Sequence, residues 1–214
     1  MLESNDLTEF LLDNPYMSIV SSSDTSICLR GKFCFKVNDS DYGVIEDSYK
    51  LEIIIPDSFP LGLPIVKEID GKIPRNLDFH MYHNGSFCLG AQLRLLAIMQ
   101  ANPSLTGFVN KCLVPYLYAV SHKLKNGGGF VFGELGHNIE SIVDDFCDMM
   151  GLKEEYQIVQ TKQLLKKKKR IANKKACPCG CGNRLGVCPL HYKLNELRII
   201  IRIQKKTRIN SVKT

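Results

Sequence analysis

The sequence predicts an α+β fold: an antiparallel meander with helices packed on one face, followed by a small C-terminal metal module. Three observations carry this. Segments with strand-type alternation at 27–37, 49–55 and 65–70 precede most of the helix-type periodicity. Of the nine cysteines, Cys177, Cys179, Cys181 and Cys188 crowd together while the other five are scattered. Charge divides too: residues 162–214 hold 16 of the 28 Lys and Arg and one acid, Glu196, for a net +15, whereas residues 1–161 carry −9. An acidic body with a basic arm implies two modules and an anionic partner for the arm.

The 214 residues suit one ordinary domain plus an appendage, and 44% hydrophobic residues supply a core and exclude global disorder. No run of eighteen apolar residues exists, so no membrane span is expected. Met1 to Phe10 carries Glu3, Asp6 and Glu9 and lacks the order of a secretory leader, so a cytoplasmic, reducing setting with free or metal-bound thiols is expected. There Cys28, Cys34, Cys112 and Cys147 read as small buried hydrophobes.

Residues 5–13 read as a helix with apolar Leu7, Phe10, Leu11 and Leu12, capped by Asn5 or Asp6 and stopped by Pro15. Turns at 21–26 and 39–43 flank the strand 27–37. Leu51, Ile53 and Ile55 share one face of 49–55; Pro56, Pro60 and Pro64 punctuate the loop before 65–70. A short helix around 91–99 precedes a longer one over 104–125, with Ser104 as its cap, Pro115 as a kink and the glycines of 126–129 as its end. Residues 130–138 read as a loop or short strand. Ile139, Ile142, Val143 and Phe146 make an amphipathic stripe over 139–150. The expected division is a body over 1–152, a basic helical linker over 153–176 and a zinc module with basic tail over 177–214, where "RIIIRI" alternates like a strand.

The meander leads to "PDSFPLGLP" (56–64) and then to "YHNGSFCLG" (82–90), centred on Cys88. Gly85 permits a tight turn that leaves the thiol near the surface, and Gly90 lets an extended peptide pass close to the backbone. An exposed thiolate is a nucleophile for thioester exchange. His80 and Asn84 are candidate donors to an oxyanion, His80 also a base near neutral pH, while His83 reads as a solvated loop residue. Residues 5–150, with these two segments and the helix after them, resemble the ubiquitin-conjugating (UBC) fold. The resemblance implies a transferase that carries a protein C-terminus as a thioester on Cys88. Eukaryotic members have His-Pro-Asn where this chain has Asp78-Phe79-His80; the departure is similar to bacterial members. "GELGHN" (133–138) resembles a segment of those members, in which His137 either takes a proton from the attacking amine or decorates a turn.

"CPCGCGNRLGVCPLH" (177–191) has the spacing C-x-C-x8-C-x2-H and resembles the SEC-C zinc motif. That resemblance makes Cys177, Cys179, Cys188 and His191 the ligands of a structural zinc and Cys181, where serine is usual, the spare thiol. Cys179 and Cys181 can also exchange places.

Three functions are weighed. The first is the bacterial conjugating transferase. No G-x-G-x-x-G follows a strand, so ATP-dependent activation is expected from another protein. The resemblance implies an antiphage setting, with a Gly-terminated donor such as a CBASS cyclic-oligonucleotide synthase and a target lysine. The second is a non-catalytic protein-binding UBC-like module, against which the presence of Cys88 argues. The third is a nucleic-acid-binding zinc protein, its affinity residing in 162–214.

Overall fold

Strand β2 (Ser26–Asp39) alternates Leu29, Phe33 and Phe35 inward with Arg30, Lys32, Cys34 and Lys36 outward, and this alternation sets the first layer of the fold. A computed structural model describes residues 4–131 and 139–211. In it β2 pairs antiparallel with β1 (Met17–Ser22) and β3 (Gly43–Pro56), and β3 with β4 (Ile65–Glu68), giving the sheet order β1-β2-β3-β4. β1 was not anticipated. It is short and exposed after Met17, with a register shift between Ile19 and Ser21, so it lacks the period-2 signal of a half-buried strand. Cys34 is exposed rather than buried, because it falls on the outward parity of β2.

The inward face of the sheet, including Tyr49, Leu51, Ile53 and Ile55, packs with Phe10 of α1 (Ser4–Asp13) and with Leu105, Phe108, Leu113, Leu117 and Val120. Those last residues lie on α3 (Leu105–Phe108), a π-turn (Val109–Leu113) and α4 (Val114–Asn126), which run on from one another. The Val114 N–H reaches the Val109 carbonyl, and Pro115, which has no N–H to donate, follows at the first turn of α4. Ser104 caps α3 as expected, its Oγ accepting the Gly107 N–H at 2.9 Å. Asp6 reaches across to this helix start, both carboxylate oxygens accepting the Leu105 N–H, at 2.9 and 2.8 Å. A buried network ties β3 to α4: the Tyr49 and Ser121 hydroxyls lie 2.6 Å apart, Ser121 Oγ donates to Asp47 at 2.8 Å, and Lys72 pairs with Asp47.

Between these, α2 (Gln92–Ala101) forms where a short helix was expected. One compact unit comprises 1–90 and 95–134; the other comprises 91–94 and 135–214. α5 (Ile139–Met149) falls in the unit that holds the cysteine-rich segment. Val143, Phe146 and Cys147 of α5, Leu164 of α6 (Glu155–Leu165) and Ala172 of α7 (Lys169–Ala172) form a second core with Cys177, Leu185 and Cys188. The segment "RIIIRI" lies in α8 (Leu190–Ser211), a helix rather than a strand. Leu190, Leu194, Leu197 and Ile201 recur at helical spacing and pack into that core while Ile199 is exposed, and this stripe overrides the local alternation. The Arg198 guanidinium donates to the carbonyls of Leu164, Leu165 and Lys167 at 2.5, 3.0 and 2.7 Å, closing the C-terminal end of α6. Among the described residues no helix is long and apolar enough to cross a membrane.

Candidate active site and candidate metal centre

β4 ends at Glu68 because its buried carboxylate turns the chain. Its oxygens accept the N–H groups of Asp70, Gly71 and Lys72 at 2.8, 2.9 and 3.2 Å. The following segment closes over 77–79 in a short 3-10 turn capped by Asn76 Oδ1, and then passes His80 in the left-handed region (φ 49, ψ 40). Among the described residues His80 is the only non-glycine with positive φ. Two side chains of α4 hold this turn from behind. Tyr116 Oη donates to the Phe79 carbonyl at 2.8 Å, and Lys123 Nζ to the Asp78 carbonyl at 2.7 Å. Burial raises the Tyr116 phenol, so it remains a donor across the working pH range.

From His80 the chain folds into a small hairpin. Met81 bridges Phe87, the Gly85 N–H reaches the Tyr82 carbonyl at 2.9 Å, and Lys67 of β4 bridges Ser86. Gly85 has φ 80, and a β-carbon there would stand 2.9 Å from the Glu68 carbonyl oxygen, so both conformation and space demand glycine. The return arm ends at Cys88, which is half-buried and in no disulfide, its backbone N–H donating to the His80 carbonyl at 2.7 Å.

The structure thus brings together Cys88 and His80 of the four residues expected around a thioester. The His80 ring is buried and meets Phe130 edge-on at 4.6 Å. Asn84 stands exposed in the hairpin turn, its Oδ1 accepting the Ser86 N–H at 3.0 Å and the Ser86 hydroxyl at 2.6 Å. His83 is exposed, as expected. His137 lies outside the described residues. Sequence reasoning missed Tyr116, Lys123 and Glu68. The two α4 residues are seven apart on one helix face, but only the tertiary fold brings the 3-10 turn to them.

The chain has no match among protein-family models, curated proteins or solved structures.

In the second unit, the sulfurs of Cys177, Cys179, Cys181 and Cys188 all lie within 4.8 Å of one another and can hold a metal ion. Sγ of Cys179 stands 3.2 Å from that of Cys177 and 3.7 Å from that of Cys188. Cys181, expected as the spare thiol, is in this group. His191, expected as a ligand, is not; its Nδ1 is 2.8 Å from the Cys188 carbonyl oxygen and its ring lies against Tyr192. Two glycines with left-handed φ, Gly180 (78) and Gly182 (74), turn the chain on either side of Cys181, and Ala176 bridges Arg184 at the base of the loop. Burial pushes the Cys177 thiol up, whereas the Asn183 backbone N–H and the neighbouring thiols bring exposed Cys181 down to about 7.

Proposed function

We propose that the protein is a bacterial ubiquitin-conjugating-like transferase that carries the C-terminus of a Gly-terminated protein as a thioester on Cys88. One observation carries this reading: a half-buried cysteine at the exit of an antiparallel meander, its backbone N–H donating to the carbonyl of a buried histidine. The Cys88 thiolate attacks the activated acyl carbon, forms the C–S bond and expels the leaving group of an upstream, ATP-dependent carrier. A lysine amine of the target then attacks the thioester carbonyl. The oxyanion collapses, the C–S bond breaks, and Cys88 leaves as thiolate while the amine proton passes to a base. His80 is the first candidate for the oxyanion and the proton. Asn84 keeps its Nδ2 for the oxyanion role, and His137 remains a candidate for the proton. An antiphage role, with a CBASS cyclic-oligonucleotide synthase as donor, extends the reading by family likeness alone. The metal at the cysteine cluster is proposed to be zinc and structural, since thiolate-rich donor sets without an open position suit it.

The test is intact-mass spectrometry and non-reducing electrophoresis of the full chain co-expressed with its genomic neighbours, as wild type, Cys88→Ala and Cys88→Ser. A thiol-labile adduct in wild type, lost in Cys88→Ala and thiol-resistant in Cys88→Ser, is the expected result, and its mass names the donor. No adduct on a folded chain with those neighbours moves the reading to a non-catalytic binding module.

A second reading attaches to the C-terminal unit. The basic run 166–170, Lys174, Lys175 and Arg184 are exposed, and among the described residues none of them has an ion pair. That density favours an anionic partner, nucleic acid first. Affinity that survives on the full chain after Cys88→Ala and falls steeply with salt is the expected signature.

A further inference from the structure

We infer that the C-terminal unit binds a divalent metal through a tetrathiolate set of Cys177, Cys179, Cys181 and Cys188, with His191 outside the coordination shell. This deepens the structural-zinc reading and is independent of the chemistry at Cys88. A tetrahedral ion with metal–sulfur bonds of about 2.3 Å requires sulfurs about 3.8 Å apart. The four thiols bracket this spacing: every Sγ pair lies within 4.8 Å, and Cys179 stands 3.2 Å from Cys177 and 3.7 Å from Cys188. These separations are well beyond the ~2.05 Å of a disulfide bond.

The backbone explains why Cys181 is available. The Cys177 N–H donates to the Asn183 carbonyl at 2.9 Å, closing the loop 177–183 on itself. Within it, the two left-handed glycines return Cys181 toward the sulfurs of Cys177 and Cys179. Cys188 arrives from the short 3-10 turn Leu185–Val187, whose Leu185 is buried. His191 lies on the first turn of α8, and its Nδ1 approaches the Cys188 carbonyl. In that pairing the ring N–H donates to the carbonyl, and His191 stays outside the group of side chains whose ligand atoms lie within 4.8 Å of one another. Charge agrees as well. Four thiolates around a divalent cation carry −2, and Lys174, Lys175 and Arg184 flank the loop with exposed positive charge. Cys177 and Cys188 are buried with Ala172, Leu194 and Leu197, so the ion would sit against the core of its unit.

The test is cobalt(II) titration of the metal-depleted full chain, with the ligand-field and sulfur-to-cobalt charge-transfer bands as readout and circular dichroism as the folding control. Wild type, His191→Gln and Cys88→Ala are expected to bind one cobalt with the same spectrum. Cys181→Ser is expected to lose about a quarter of the charge-transfer intensity, one thiolate of four. A changed ligand-field spectrum in His191→Gln overturns the assignment in favour of a Cys3His set, and it does so even if Cys181→Ser fails to fold. Unchanged intensity in a folded Cys181→Ser overturns it too. No cobalt uptake by wild type overturns the metal site itself and leaves the Cys88 reading untouched.

Discussion

The Cys88 N–H donates to the His80 carbonyl at 2.7 Å, and His80 holds the left-handed conformation that aims that carbonyl. The backbones of Cys88, the proposed nucleophile, and His80, the candidate base, are therefore one unit. A change in the His80 dihedrals moves Cys88.

His80→Gly keeps the left-handed backbone and removes the ring. In a single-turnover discharge of the Cys88 adduct to a small amine, the rate is expected to fall ~100-fold. His80→Asn also tolerates this conformation and restores an amide donor. It is expected to recover part of the rate while losing any pH dependence that an imidazole confers. Discharge indifferent to both substitutions, in rate and pH profile, removes His80 from the chemistry.

Tyr116→Phe deletes the hydrogen bond to the Phe79 carbonyl and leaves that acceptor partly buried. The expected cost is about 1–2 kcal/mol in urea unfolding. Alkylation of Cys88 should also quicken by a few-fold, since the turn that seats it loosens. Unchanged stability would mean that water replaces the phenol without loss.

Asp6→Ala removes both oxygens that accept the Leu105 N–H, a cap delivered from α1 to the start of α3. A loss of about 1–2 kcal/mol is expected by chemical denaturation, with Asp6→Asn losing less. Equal losses in the two variants would assign the effect to charge rather than to the accepted bond.

Asp47 is partly buried, which raises its carboxyl, but bonds from Lys72, the Ser48 N–H and Ser121 outweigh burial and hold it below its ordinary value. A depressed folded-state value contributes stability in full above the unfolded pKa of about 3.9 and loses it as pH falls through the folded value. Asp47→Asn is therefore expected to cost roughly 1–3 kcal/mol at pH 7. The gap to wild type should narrow in acid. A gap constant from pH 7 to pH 2 would show that packing, not ionisation, sets the difference.

Much of this was legible in the sequence where one face of an element is wet and the other dry. Leu51, Ile53 and Ile55 announce their strand, and Ser104 announces its helix. β1 escaped because an exposed edge strand carries no alternation. α8 was misread over "RIIIRI" because six residues fit both periods; the longer stripe from Leu190 to Ile201 decides between them. At the candidate site, Cys88 and His80 could be picked out by residue type. Their backbone link, and its support by Tyr116 and Lys123, depends on the left-handed turn and on contacts distant in the chain. The choice between Cys181 and His191 depended on two glycine dihedrals that spacing does not encode.

The clasp of Arg198 on the carbonyls of Leu164, Leu165 and Lys167 sets a rule for dissecting the molecule. Read as charge, the C-terminal stretch looks like a detachable tail. One of its cations nevertheless serves as the lock of an earlier helix. A fragment cut before residue 198 would open two carbonyls of α6 and one just beyond it to water, so any binding it lost could not be attributed to the missing charges. Fragments meant to compare the basic face with the rest of the chain should end beyond that arginine.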